Sequence, residues 1–83
     1  MPRYYFHLHE PTQLTRDDFG LDLPDLARAR VEAVRGVRSV LSEEIRAGRL
    51  DLRGRIDVAD REGNILLTVL IRDTVEIQRE LSS

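Results

Sequence analysis

The chain has 83 residues and a mass of 9.6 kDa, with 41% hydrophobic and 34% charged residues, the size of one small domain. It contains no cysteine, which excludes a disulfide framework, a thiolate nucleophile and a cysteine-ligated zinc site, and no apolar run exceeds three residues, which excludes a membrane-spanning helix. The net charge is −2, yet residues 28–55 carry eight arginines against four acids, while acids outnumber arginines on both sides of them.

Residues 3–9 read as a strand. Alternation places Tyr4, Phe6 and Leu8 on an oily face and Tyr5, His7 and His9 on the other. Glu10-Pro11 ends it, because proline lacks an amide proton and restricts its predecessor. Residues 13–16 read as a short second strand or as coil. Asp17-Asp18-Phe19-Gly20 then makes a turn, and Leu21 and Leu23 are expected to close one end of the core.

A helix is predicted from Pro24 or Asp25 to about Ala47. Proline suits a first helical turn, and aspartate suits the positive helix end. Leu26, Ala29, Ala33, Val37, Val40 and Leu41 share a face, flanked by Ala27, Val34 and Ile45, in a stripe of roughly 160°. Ala29, Ala33 and Gly36 are expected to let the helix approach a sheet closely. Gly48 is a natural stop.

A hairpin follows. Leu52, Gly54, Ile56 and Val58 alternate with Arg53, Arg55 and Asp57. Asp60–Asn64 forms the loop, and Ile65–Ile71 returns. Strict alternation puts Ile65, Leu67, Val69 and Ile71 on the helix side and Leu66, Thr68 and Leu70 on the other. Residues 73–81 are expected to begin a short helix, with Val75, Gln78 and Leu81 on one side. Residues 78–83 are expected to fray. The reading is therefore one α+β domain over residues 1–77, in β-β-α-β-β order. A mainly antiparallel three- or four-stranded sheet packs against one long helix. Its expected core is Tyr4, Phe6, Leu8, Leu26, Ala33, Val37, Leu41, Ile56, Val58, Val69 and Ile71.

Several segments together resemble a known family. MPRYYFHLHE at 1–10, DDFGLDLPDLARARVEA at 17–33 and EIRAGRLDLRGRIDVADREGNILLTVLIRD at 44–73 are similar to DUF6894, a small bacterial domain family of unknown function. Tyr4 to His7, the Asp18, Gly20, Pro24 and Asp25 group, and Gly63 carry the likeness. His9-Glu10 departs from it, since many relatives carry arginine followed by an acid there. The resemblance implies domain boundaries and a bacterial source. It implies no activity, substrate or catalytic residue.

No chemical constellation stands out. His7 and His9 lie two residues apart on one strand face, a spacing that can begin a metal site, but no third ligand has a diagnostic spacing. Asp17-Asp18 and Glu43-Glu44 are paired acids, expected to serve turns and solvent; Glu44 is expected to meet a hairpin arginine. Ser39 and Ser42 lack the strand–turn–helix setting of a nucleophile. Tyr5, Arg53, Arg55 and the helix arginines suggest a nucleic-acid surface, though an acidic pI of about 5.6 argues against it.

No cofactor is expected. The leading expectation is a non-enzymatic, cytoplasmic protein-interaction or accessory domain. A homodimer would form through the sheet face opposite the helix, with Tyr5, Leu66, Thr68 and Leu70 as interface candidates. Such an interface would assist a chain in which burial and ordering terms nearly cancel. A nucleic-acid-binding regulator and a metal protein using His7 and His9 are the alternatives.

Overall fold

The computed structural model describes residues 1–75. The predictions for Gln78, Leu81 and the tail 78–83 lie outside them. The fold is α+β. Strands β1 (Arg3–Glu10), β2 (Gln13–Thr15) and β3 (Leu21–Asp22) precede one helix, α1 (Leu26–Arg46). Strands β4 (Arg55–Ala59) and β5 (Ile65–Leu70) follow, and a short 3-10 turn spans Ile71–Asp73. The antiparallel sheet runs β2-β1-β4-β5, with β3 pairing the start of β1. Sequence reading expected three or four strands. The fifth, β3, is only two residues long and carries no periodicity of its own.

Helix α1 starts where expected. Asp25 is its N-cap, with a carboxylate oxygen 2.9 Å from the Arg28 amide, satisfying one of the free N–H groups of the first turn. It ends at Ala47, and the Gly48 and Arg49 amides donate back to the Ile45 and Glu44 carbonyls. Ala29, Ala33, Val37 and Leu41, spaced four apart, are buried. They pack with Tyr4, Ile56, Val58, Val69 and Ile71, while Phe6 and Leu8 are only half-buried at the margin. Leu26, expected in the core, is 38% exposed, and Ile45 is also exposed. At ~1.5 Å per residue the helix is about 31 Å long, whereas a six-residue strand spans about 20 Å. The helix ends therefore overhang the sheet. Leu21 is exposed as well and seals nothing, whereas Leu23 does pack against the core.

Gly36 was expected to permit close approach to the sheet, but the space there is ordinary. A Cβ would lie 3.8 Å from Ile56 Cδ1. Alanine regains helix propensity without a clash, so Gly36→Ala should raise stability by about 0.5–1 kcal/mol. Denaturant melts of both proteins check this; a lower midpoint for the alanine variant would show that the site is tighter than its spacing implies.

The return strand departs from strict alternation. Leu67 pairs with Val58 and Ile65 with Ala59, so the register shifts by one residue at Leu66. Such a bulge turns the residues before it over. Ile65 therefore shares the open face with Tyr5 and Ala59 and does not join Leu67 on the helix side, as alternation alone would have it.

Candidate functional site

The sheet face away from α1 carries Tyr5, His7 and His9 from β1, Arg55 and Asp57 from β4, and Thr68 and Leu70 from β5. At its centre is Asp57, only 6% exposed. Its carboxylate gathers one donor from each of β1, β4 and β5. Thr68 Oγ1 donates at 2.9 Å, Arg55 Nε lies at 3.2 Å and His9 Nε2 at 3.0 Å. No buried side-chain polar atom among the described residues lacks a partner. Asp57 thus holds three strands together by charge-assisted bonds.

The arrangement is not that of an activated nucleophile. Thr68 donates to a carboxylate already engaged by Arg55 and His9 rather than to an imidazole, and a carboxylate held in this way is a poor base for a hydroxyl proton. The two histidines are also separated in role. His7 Nδ1 accepts the Asp17 amide at 3.1 Å, while His9 is held by Asp57. Among the described residues no three His, Cys, Asp or Glu side chains gather as a metal site.

Asp17 plugs a gap between β2 and β3 on the outer side of β1. One carboxylate oxygen accepts the Phe6 amide at 3.1 Å, and the other accepts the Phe19 and Gly20 amides at 3.0 Å each. Partial burial pushes its pKa up, but the Gly20, Phe19 and Phe6 amides and the neighbouring His7 together hold it below the ordinary value. The folded pKa is therefore lower than the unfolded one, about 3.9. The stabilisation is complete above that value and is lost as pH falls through the folded pKa. Asp17→Asn should cost about 1 kcal/mol near neutrality. That deficit should hold near neutrality and shrink as pH falls below about 4 in thermal melts; a constant deficit would assign the loss to shape rather than charge.

The other acids are also occupied. Glu44 accepts the Asp51 amide at 3.2 Å, so its expected hairpin partner is a backbone group and not an arginine. Glu43 pairs with Arg46 on the exposed face. Arg53 is clamped by Asp51 at 3.0 Å and Arg55 by Asp57. Tyr5 stands opposite Ala59, four residues along β4 from Arg55, about 13 Å at strand rise. The residues of the nucleic-acid alternative do not converge. On α1, Arg28 and Arg35 both lean on Glu32.

Two features remain unpartnered among the described residues. One is a cleft of about 540 Å³ at the C-terminal end of α1, walled by Leu41, Ile45, Leu50, Leu52 and Val75. The other is the outer edge of β5. The Phe6 amide points to Asp17, away from β4, so the alternation of an antiparallel ladder turns the His7 backbone toward β4 and the Asp57 backbone toward β1. One strand further, Leu67 and Val69 turn toward β4, and Thr68 and Leu70 turn their N–H and C=O groups outward. The Ile71 amide, which donates back to the Gly54 carbonyl, fits the same parity. Sequence reading marked Leu66, Thr68 and Leu70 for a presumed oily face. The face around them is centred on a polar cluster, and their shared property is the edge. The uncharged run ILLTVL was the available signal. Asp57 was missed, and its only sign was a carboxylate between Ile56 and Val58 in a strand that is apolar after Arg55.

No helix among the described residues is long and apolar enough to cross a membrane. No curated protein and no solved structure matches the chain. The family model for DUF6894, a domain of unknown function, matches residues 3–72, from the first residue of β1 into the turn after β5, and the chain belongs to that family.

Proposed function

We propose that the chain is a non-enzymatic protein-interaction domain, a small cytoplasmic accessory or regulatory subunit that receives its partner along β5. The observation that carries this reading is the outer edge of that strand, which no other described strand covers. It is six residues long and uncharged, with Ile65 53% and Leu66 42% exposed and the backbone groups of Thr68 and Leu70 facing outward. Natural sheets protect such edges with charge, proline or short length. The other side of this sheet is protected in that way, since β2 and β3 are three and two residues long. An added strand would gain main-chain hydrogen bonds from the edge, with alternate side chains selecting the partner.

The test is a substitution that blocks the edge and spares the fold. Leu70 has φ −78° and ψ 135°, close to what proline imposes, and its amide does not serve the ladder to β4. Leu70→Pro should keep the far-ultraviolet spectrum while losing a partner that the native chain retains in stoichiometric amount from an extract of its own cells. Equal retention by both proteins would remove the edge from the account. Salt-dependent binding of short RNA or DNA would favour the nucleic-acid alternative instead, and metal analysis of untagged protein tests the reading built on His7 and His9.

A further inference from the structure

We infer that the cleft at the C-terminal end of α1 is the docking site of the chain's own residues 76–81, with Ile77 and Leu81 against its apolar walls and Glu76 and Glu80 at its arginine rim. The inference does not depend on the reading of β5. The cleft, about 540 Å³, has the size of a ligand pocket. Leu41 and Ile45 enter it from the last turns of α1, Leu50 and Leu52 from the loop that follows, and Val75 from beyond the 3-10 turn. Ile45 is 61% and Leu50 57% exposed. Large apolar side chains exposed together around one hollow mark a surface that another group covers. Arg38 and Arg46, two turns apart on α1, form the rim.

Three observations select this segment over a foreign occupant. The first is place. Val75, the last described residue, is itself a wall of the cleft, so the Cα of Glu76 lies one peptide step, ~3.8 Å, from that wall. From Arg38 to Arg46 the rim runs about 12 Å along the helix, and six residues reach as far as about 20 Å, so residues 76–81 are long enough to cross it. The second is sequence. Residues 76–81 read EIQREL, with the apolar Ile77 and Leu81 each preceded by an acid, and two acids against the single Arg79. An apolar hollow with a cationic rim matches both features. The third is charge placement. Arg38 Nη2 lies 3.4 Å from the Thr74 carbonyl oxygen, which sets its guanidinium two residues before Glu76. Arg46 meets Glu43 only at 3.7 Å, with both side chains 76% exposed, and is free to turn to Glu80. A tethered segment also competes at an effective concentration in the millimolar range, so contacts too weak to hold a free ligand suffice to hold this one.

Methyl nuclear Overhauser spectra of the native chain should show contacts from Ile77 and Leu81 to Ile45 and Leu50. Anilinonaphthalene sulfonate, an apolar anion that suits the same walls and rim, reports whether they are free. It should stay dim with the native chain and brighten several-fold with the Ile77→Ser, Leu81→Ser double variant, while the far-ultraviolet spectrum and the cooperative melt are retained. Adding Leu50→Ser to that variant should dim the dye again, which locates it in the cleft. Four results overturn the inference: no methyl contacts from residues 77 and 81 to the cleft, a native chain as bright as the double variant, a brightening that Leu50→Ser leaves unchanged, or methyl contacts that vanish on dilution as sedimentation falls from twice the 9.6 kDa of one chain to that mass. The second would give the cleft to a foreign apolar ligand, and the fourth to the same residues of a second copy. None of these outcomes changes the case for β5, which Leu70→Pro tests separately.

Discussion

Gly54→Ala should remove a large part of the stability of this protein, about 3 kcal/mol or more. Gly54 sits at φ +125° just before β4, and a Cβ there would lie 2.7 Å from the His9 carbonyl oxygen and 3.1 Å from Ile71 Cδ1. The dihedral strain alone costs about 1–2 kcal/mol. The carbonyl belongs to an inner strand of the sheet, paired on both sides at His9, and cannot retreat without breaking the ladder. A chain of this length has roughly 4–12 kcal/mol in total, so the melting temperature should fall by about 15 °C. Gly63→Ala is the control. Its φ is +87° with nothing within 4 Å of the added carbon, and it should lose only the dihedral part, about 1 kcal/mol. Equal losses at the two sites would show that the close approach to His9 contributes nothing.

Asp57→Ala should be the next most damaging exposed-face change, at about 2 kcal/mol. Removing the carboxylate strips the acceptor from Thr68, Arg55 and His9 together. A buried acceptor lost from one side of a charge-assisted network costs about 3–5 kcal/mol when the partners stay dry. Arg55 is half exposed and His9 30% exposed, so water replaces part of the loss. Thr68→Val alone should cost about 1 kcal/mol. In the double variant the Thr68 change should cost little more, since its acceptor is already gone. Additive losses in urea melts would mean that the three strands are not coupled through Asp57.

The long-period features of the fold were legible in the sequence. Ala29, Ala33, Val37 and Leu41 repeat at helical spacing, Asp25 and Gly48 bracket the helix, and Tyr4 sits on the oily side of β1. Features set by one residue or by distant strands were not. The bulge at Leu66 has no composition of its own, yet it carries Ile65 to the other face. Leu26 obeys the helical period and is exposed because the sheet ends before the helix does. The Asp57 cluster needs residues 9, 57 and 68 in register across three strands, which no local pattern encodes. His7 and His9 were visible as a pair, but their partners Asp17 and Asp57 could be assigned only once the strands were placed.

The two sides of the sheet have unequal fates. Beyond β1, the chain is broken into β2 and β3 with the Asp17 carboxylate occupying the interval, so an incoming strand finds no continuous ladder to extend. Beyond β5 there is one. Among the described residues only one edge can be extended, so a strand that pairs with it leaves no second edge to propagate from, and the aggregation hazard inherent in an apolar strand such as ILLTVL does not run on into a filament. Repairing the interrupted side, by replacing Asp17 and closing the gap between β2 and β3, would give each molecule two competent edges and make polymerisation the default outcome.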